Sequence, residues 1–521
     1  MTVESGALRG EIVDGVSRFL GVPYAAPPVG TLRWAPPRPA EAWSGVRDAT
    51  THAPSCMQAI TPEGFGPWTK EYVAPPPVSE DCLHLNVWAP ASKGSEARPV
   101  LVWIHGGAFM SGSNSVPIYD GAALAGQGIV VVAINYRLSV FGYAGFRELA
   151  DDPQGSANFG LQDIIASLGW VRRNVRAFGG DPERITIAGQ SAGAMAVHML
   201  MVSPQARGLF SQAIAQSGII ETALPTLDDA WRRGEDLKAK AGVGTLSELR
   251  AVSAERIMAI LSAGPLAGAA DIGGVPLVGP VVDGRVLPDQ VRALQAHGDL
   301  ASVPVMVGLN ADEGVLSPDY FRMSPQMFAS KVSRLAGPEK AALFLPEGGV
   351  DTEAGATAGN KVLTRLYGLA SLVDWSRSAP AARGGRLFAY YFTHAEPGNA
   401  PDVFGAFHSA ELPYVFDTLD VSPWRNFTDA DREIARVMSA YWVNFVKTGN
   451  PNGEGVPSWP AYRHDTSTVM ELGTHFAPYR TDAETLDIVL NRISGGLDRS
   501  IFGMAPEPGG ASDGIPEPGA R

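Results

Sequence analysis

Two runs early in the chain are apolar at every position: Val100-Leu101-Val102-Trp103-Ile104 and Ile129-Val130-Val131-Val132-Ala133-Ile134. A strand with one wet face alternates apolar and polar residues, so unbroken runs predict strands covered on both faces, as in a sheet with crossover helices above and below. The pattern repeats downstream. A helix-like stretch from Gly160 to Phe178 leads into Ile185-Thr186-Ile187-Ala188, and a helix of small residues follows from Ala192 to about Met201. Further strands are predicted at Phe210 to Gln216, Pro304 to Val307 and Leu387 to Phe392. Strand, helix, strand at this spacing predicts an α/β fold with a large, mostly parallel central sheet and helices on both faces.

Elsewhere the pattern changes. The first hundred residues alternate short strands, such as Phe19 to Tyr24, with turns rich in Pro and Gly, and leave no room for long helices. Residues 221–300 carry charged helical segments, Trp231 to Lys240 and Leu246 to Leu261, broken by a Gly/Ala/Pro-rich stretch at 263–280; residues 318–380 form a second largely helical block. Insertions between core strands of an open α/β sheet lie over its carboxyl edge, where ligands bind. Residues 1–503 are therefore expected to form a single large catalytic domain, and the Pro/Gly/Ala-rich 504–521 a loose, disordered tail.

Composition narrows the function classes only a little. With 45% hydrophobic and 18% charged residues the chain reads as globular, and a net charge of −13 argues against nucleic acid or an anionic membrane as partner. No apolar stretch is long enough for a transmembrane helix, and no signal peptide is visible at the start of the sequence. Size and acidity leave the oligomeric state open. The two cysteines, Cys56 and Cys82, are either buried thiols or a pair. Pairing them would close a short loop, stabilise the fold by roughly 3 to 4 kcal/mol and favour an oxidising compartment.

The chemistry centres on Gly189-Gln190-Ser191-Ala192-Gly193, a G-x-S-x-G pentapeptide between a strand and a helix. At such a turn the serine is presented on a sharp bend that only flanking glycines permit, and the Ala192 N–H opens the helix facing any developing negative charge. His105-Gly106-Gly107-Ala108, just past the strand ending at Ile104, is the candidate for the remaining oxyanion donors. A serine hydroxyl needs a base. Among nine histidines, His408 lies late in the chain, after a core strand, as the order nucleophile, acid, histidine requires; His105 is the main rival, and His84 and His198 read as structural. For the acid, Asp312 and Glu313 follow the strand 304–307 and spacing does not choose between them; Asp283 and Asp417 remain further alternatives. Asn426-Phe427-Thr428 fits a glycosylation sequon and is assigned no function.

At this point the chain resembles the type-B carboxylesterases, the family of bacterial para-nitrobenzyl esterases, animal carboxylesterases and cholinesterases. The resemblance runs from about residue 2 to 480. It is carried by Arg18 to Ala25, Glu80 to Val87, Trp103 to Phe109, Asn135-Tyr136-Arg137, Phe178 to Pro182 and Ala188 to Gly193. It implies an α/β-hydrolase fold and cleavage of small-molecule carboxylic esters through an acyl-serine, with no metal or organic cofactor. The implied triad is Ser191, Glu313 and His408, with Gly106, Gly107 and Ala192 as oxyanion donors, Ser217 supporting the triad from behind, and a Cys56–Cys82 disulfide. The bridge, if formed, favours an extracytoplasmic or secreted protein. Arg33 with Glu80 and Arg137 with Asp163 resemble the family's structural ion pairs. Two departures disfavour cholinesterase activity: Gln190 stands where the family often has glutamate, and Trp68 is an uncertain counterpart of the tryptophan that meets a quaternary ammonium. A binding protein on the same fold would lose the triad, which is intact here; amide or carbamate cleavage by the same residues is a further alternative.

Overall fold

The computed structural model describes residues 1–494 except 93, 95, 152–154, 221–222, 265–269, 273–274, 338, 347–348, 384–385, 399 and 464. The predicted tail, 504–521, lies outside the described residues, as does part of the 263–280 stretch. Eleven strands of the described chain form one sheet: β1 (Glu11–Val13), β2 (Val16–Pro23), β3 (His84–Pro90), β4 (Arg98–Ile104), β5 (Val130–Ile134), β6 (Gly180–Gln190), β7 (Gln212–Gln216), β8 (Val305–Asn310), β9 (Leu387–Phe392), β10 (Val469–Leu472) and β11 (Ala477–Tyr479). Their spatial order is β11-β10-β9-β8-β7-β6-β4-β5-β3-β2-β1. From β5 through β10 the pairings are parallel; antiparallel strands occupy the two flanks.

The unbroken apolar runs are buried as their pattern requires: every residue from Val100 to Ile104 and from Val130 to Ile134 is buried. Helix Phe159–Asn174 covers the sheet and gives way to a tighter turn that stops at Gly179, whose φ of 82° is open to glycine at no cost. The predicted helical block from Leu246 to Leu261 is two helices, Leu246–Ala251 and Ala254–Ser262. Val252 is extended and Ser253 accepts from the Arg256 N–H, so the local capping bond competes with helix continuation and wins.

Both ion pairs anticipated from the motifs form. Arg137 grips Asp163 through Nε and Nη2, each at 2.7 Å, with both side chains buried. Arg33 grips Glu80 and donates to the Val252 carbonyl at 2.6 Å, tying the helical insertion to the N-terminal strands. Cys56 and Cys82 are joined as a disulfide.

Candidate active site

Strand order reverses between β4 and its neighbours: β5 lies on one side, β6 on the other, and β4 and β6 run parallel with Ile104 opposite Gly189. This register sets the glycine-rich loop after β4 beside the Ser191 turn after β6, the crevice where open α/β sheets bind ligands. Ser191 has φ 56° and ψ −125°, outside the regions an ordinary residue prefers, and stands at the N-cap position of helix Ala192–Val202 without using its side chain to cap it. The flanking glycines are required sterically. A Cβ at Gly189 would lie 2.5 Å from the Gly193 carbonyl carbon, and one at Gly193 would lie 2.0 Å from the Ile104 oxygen. Gly106 is as close: a Cβ there would sit 3.0 Å from Ser191 Cβ. The backbone of Gly106 thus abuts the serine, and Gly107 follows with φ 105°.

His408 reaches the same place from the other side. It is buried, and its Nδ1 lies 2.5 Å from Glu313 Oε2. Glu313 also accepts from the Asn310 N–H at 2.7 Å. Burial alone would raise the Glu313 carboxyl, but the imidazole and the Asn310 N–H hold it below the usual carboxylate range; the nearby Ser217 hydroxyl is buried and makes no hydrogen bond. Burial pulls His408 down, while the Glu313 charge and hydrogen bond and the more distant Glu411 charge outweigh it and leave it above the ordinary histidine value. Ser191, Gly106, Gly107, Gln190 and His408 share the lining of one cavity of about 530 Å³.

The alternatives left open by the sequence are engaged elsewhere. Asp312, beside Glu313 in sequence, is held by Arg365 at 2.7 Å, by the Tyr320 hydroxyl and by the Ala406 N–H. Asp283 accepts from Ser156 and from the N–H groups of Arg285, Val286 and Leu287. Asp417 ends helix Leu412–Phe416 with φ 53°. His105 stacks on Tyr136 at 4.5 Å, and burial lowers it to about 4, a neutral ring that shapes the loop. His198 is buried against Trp375 and lowered to about 3. Thr428 of the sequon uses its hydroxyl to cap helix Asp429–Thr448.

Three contacts carry no motif. Trp68 donates its indole N–H to the His408 carbonyl at 2.9 Å, buttressing the histidine from the disulfide-closed loop. Glu411, fully buried three residues after His408, accepts from Asn310 at 2.6 Å and Gln216 at 3.0 Å, and burial pushes it up to about 7. The Gln190 side-chain amide lies 3.1 Å from His408 Nε2, and Ser191 Oγ makes no hydrogen bond to that nitrogen. Among the described residues, no group of three His, Cys, Asp or Glu is placed to hold a metal ion.

Known proteins resemble this chain over nearly its whole length. The profile of the Carboxylesterase family matches residues 1–347 and 350–488. The para-nitrobenzyl esterase of Bacillus subtilis (strain 168) is 34% identical over 488 residues, covering 91% of this chain and 94% of that protein. The fumonisin B1 esterase of Sphingopyxis macrogoltabida is 35% identical over 489 residues, covering 90% and 86%. A solved PNB esterase superposes with a TM-score of 0.77 at 32% identity, covering 94% of this chain and 98% of that one. The fold is that of the α/β-hydrolases, the reaction is hydrolysis of carboxylic esters, and the chain belongs to the carboxylesterase family.

Proposed function

We propose that residues 1–503 act as one catalytic unit in which Ser191, His408 and Glu313 perform the ester cleavage. The observation that carries this reading is the bond from His408 Nδ1 to Glu313. It favours the ring proton on Nδ1 and leaves Nε2 as the basic nitrogen of a ring that lines the same cavity as Ser191. As Ser191 Oγ attacks the ester carbonyl, Nε2 takes its proton, and the N–H groups of Gly106, Gly107 and Ala192 receive the oxyanion. The imidazolium then gives that proton to the departing alcohol, and the acyl-serine forms. Water attacks it with His408 again as base. Glu313 stays ionised throughout, held by the Asn310 N–H.

Two experiments test this. Stopped-flow mixing with a p-nitrophenyl ester should release one p-nitrophenolate per chain in a burst before the steady rate; a linear trace from time zero would count against a slowly hydrolysed acyl-serine. Because His408 must be neutral to act and its pKa lies above the ordinary histidine value, the acid limb of kcat/KM should have its midpoint above about 6.5. Glu411 titrates close by, so that midpoint belongs to the coupled pair. A midpoint well below 6.5 would contradict the arrangement.

The cavity also bears on the substrate. Among its described lining residues none is Lys, Arg, Asp or Glu, and Phe65, Trp68, Tyr72, Met110, Met258 and Leu261 supply apolar surface. A charged ester entering it would lose hydration with no opposite charge in return. Uncharged esters with apolar or aromatic groups, such as the para-nitrobenzyl esters in the name of the Bacillus relative, fit this lining. Acetylcholine should therefore be cleaved about tenfold or more less efficiently than 3,3-dimethylbutyl acetate, its uncharged isostere. Equal kcat/KM values would refute the uncharged-ester reading. The disulfide supports an extracytoplasmic setting.

A further inference from the structure

The imidazole of His408 meets a different partner at each nitrogen. Nδ1 faces Glu313 Oε2 at 2.5 Å, and Nε2 faces the side-chain nitrogen of Gln190 at 3.1 Å. The carboxylate dictates the tautomer. A neutral ring with its proton on Nε2 would turn the Nδ1 lone pair against an anionic oxygen, so the proton resides on Nδ1 and Nε2 accepts. Its partner, an amide nitrogen, only donates. An imidazole nitrogen has one in-plane lone pair, and in the resting structure Gln190 takes it.

We propose that Gln190 is a positioning residue that caps the base: its amide N–H donates to His408 Nε2 in the free enzyme, keeps the ring neutral and aimed at the cavity, and is displaced when ester binds and Ser191 needs the same lone pair. The inference rests on the Ser191, His408, Glu313 reading above. Three further observations support it. Gln190 is 2% exposed, so water does not compete for the bond. Its backbone is fixed at the end of β6 by pairing with Gln216, which leaves the side-chain torsions as the only moving parts. The terminal amide torsion is broad and soft, so release needs no backbone change.

A donor to Nε2 favours the neutral ring, opposing the two carboxylates that face it, Glu313 and Glu411. The other titratable groups nearby do not carry charge at neutral pH: Tyr72 and Tyr119 line the cavity with pKa values raised by burial, and His105 behind Gly106 is lowered to about 4. Asp312 is matched by Arg365.

The test compares pH profiles of wild type with Gln190→Met, which neither donates nor accepts, and Gln190→Glu, which only accepts when ionised. kcat/KM reports the free enzyme and kcat the substrate complex. Gln190→Met is expected to raise the acid-limb midpoint of kcat/KM by about half to one unit, the weight of one neutral hydrogen bond, and to leave that of kcat in place. Gln190→Glu is expected to raise both, by about one to two units. Gln190→Asn, too short to reach the ring, should behave as Gln190→Met does and covers the case in which methionine does not fold. Proton NMR of the low-field His408–Glu313 resonance, followed through the same titration without substrate, should show the same free-enzyme shifts. Superimposable kcat/KM profiles for wild type and both neutral variants, or a midpoint that falls in them, overturn the cap. If wild type hydrolyses no ester, the triad reading fails instead, and the NMR titration still decides whether Gln190 holds the ring.

Discussion

Alanine at Ser191 should lower kcat by about 10⁴- to 10⁶-fold while leaving the fold and the melting temperature close to wild type. The size follows from what the hydroxyl does. Without it no covalent acyl intermediate forms, and the residual rate is what the oxyanion donors and the cavity provide for direct attack by water. The fold should tolerate the change because the strained turn is imposed from outside the residue: the Ser191 N–H is bound to the Gln216 carbonyl at 2.8 Å, and Gly189 and Gly193 close against β4. Relieving φ 56° is not an option that alanine gains. A variant retaining more than about one hundredth of wild-type kcat would mean that another group carries the attack.

The second large effect concerns stability. Arg425 is fully buried and pairs with the equally buried Glu396, which also accepts from the Tyr72 hydroxyl. Arg425 donates further to Thr69 Oγ1 at 2.9 Å, and its guanidinium lies over the Trp424 ring at 4.7 Å. These contacts clamp the loop that carries Trp68 and Tyr72 into the cavity wall. Arg425→Met removes the positive partner and strands a buried carboxyl, so it should cost about 3 to 5 kcal/mol in denaturant unfolding at neutral pH. Arg425→Met with Glu396→Met should recover a large part of that loss, because most of it is the cost of a buried carboxyl left without its partner. A double variant as unstable as the single one would contradict this account. Burial already pushes Glu396 up to about 7, as it does Glu411. Each binds a proton in the folded chain between about pH 4.5 and 7, where the unfolded chain has released it. Both therefore stabilise the fold as pH falls through that window, and wild type should unfold at higher denaturant near pH 5.5 than near pH 8.

What the sequence disclosed depended on how local each signal was. β4 and β5 are written in unbroken apolar runs, β6 in the shorter Ile185-Thr186-Ile187-Ala188, and the Ser191 turn in two glycines whose clashes forbid any substitute. The resemblance selected Glu313 over Asp312, and the structure supplies a physical reason that spacing lacked. Asp312 Oδ2 occupies the space above Gly405, 2.1 Å from where a Cβ would be, and its ion-pair partner is Arg365, 53 residues on. Partners that distant leave no local pattern. The same holds for Gln190 and His408, 218 residues apart, and for Arg425 with Glu396, Tyr72 and Thr69. Beyond Phe392 no element is predicted above, yet there a signal existed. Thr428 and Asp431 form a capping box that opens the 20-residue helix Asp429–Thr448, and Gly449 with φ 74° closes it. Trp68 illustrates the opposite case: nothing local announces that its indole N–H donates to the His408 carbonyl, 340 residues on.

The most direct measurement is the site of covalent trapping. Incubation with diethyl p-nitrophenyl phosphate, an uncharged ester that phosphorylates an activated serine, followed by peptide mass spectrometry, should place one diethylphosphoryl group per chain on Ser191 with activity lost in proportion. His408→Ala should label at least about a hundredfold more slowly, since the attack needs the base. Full inactivation with the label on any other residue, or equal labelling rates with and without the His408 imidazole, would contradict the mechanism.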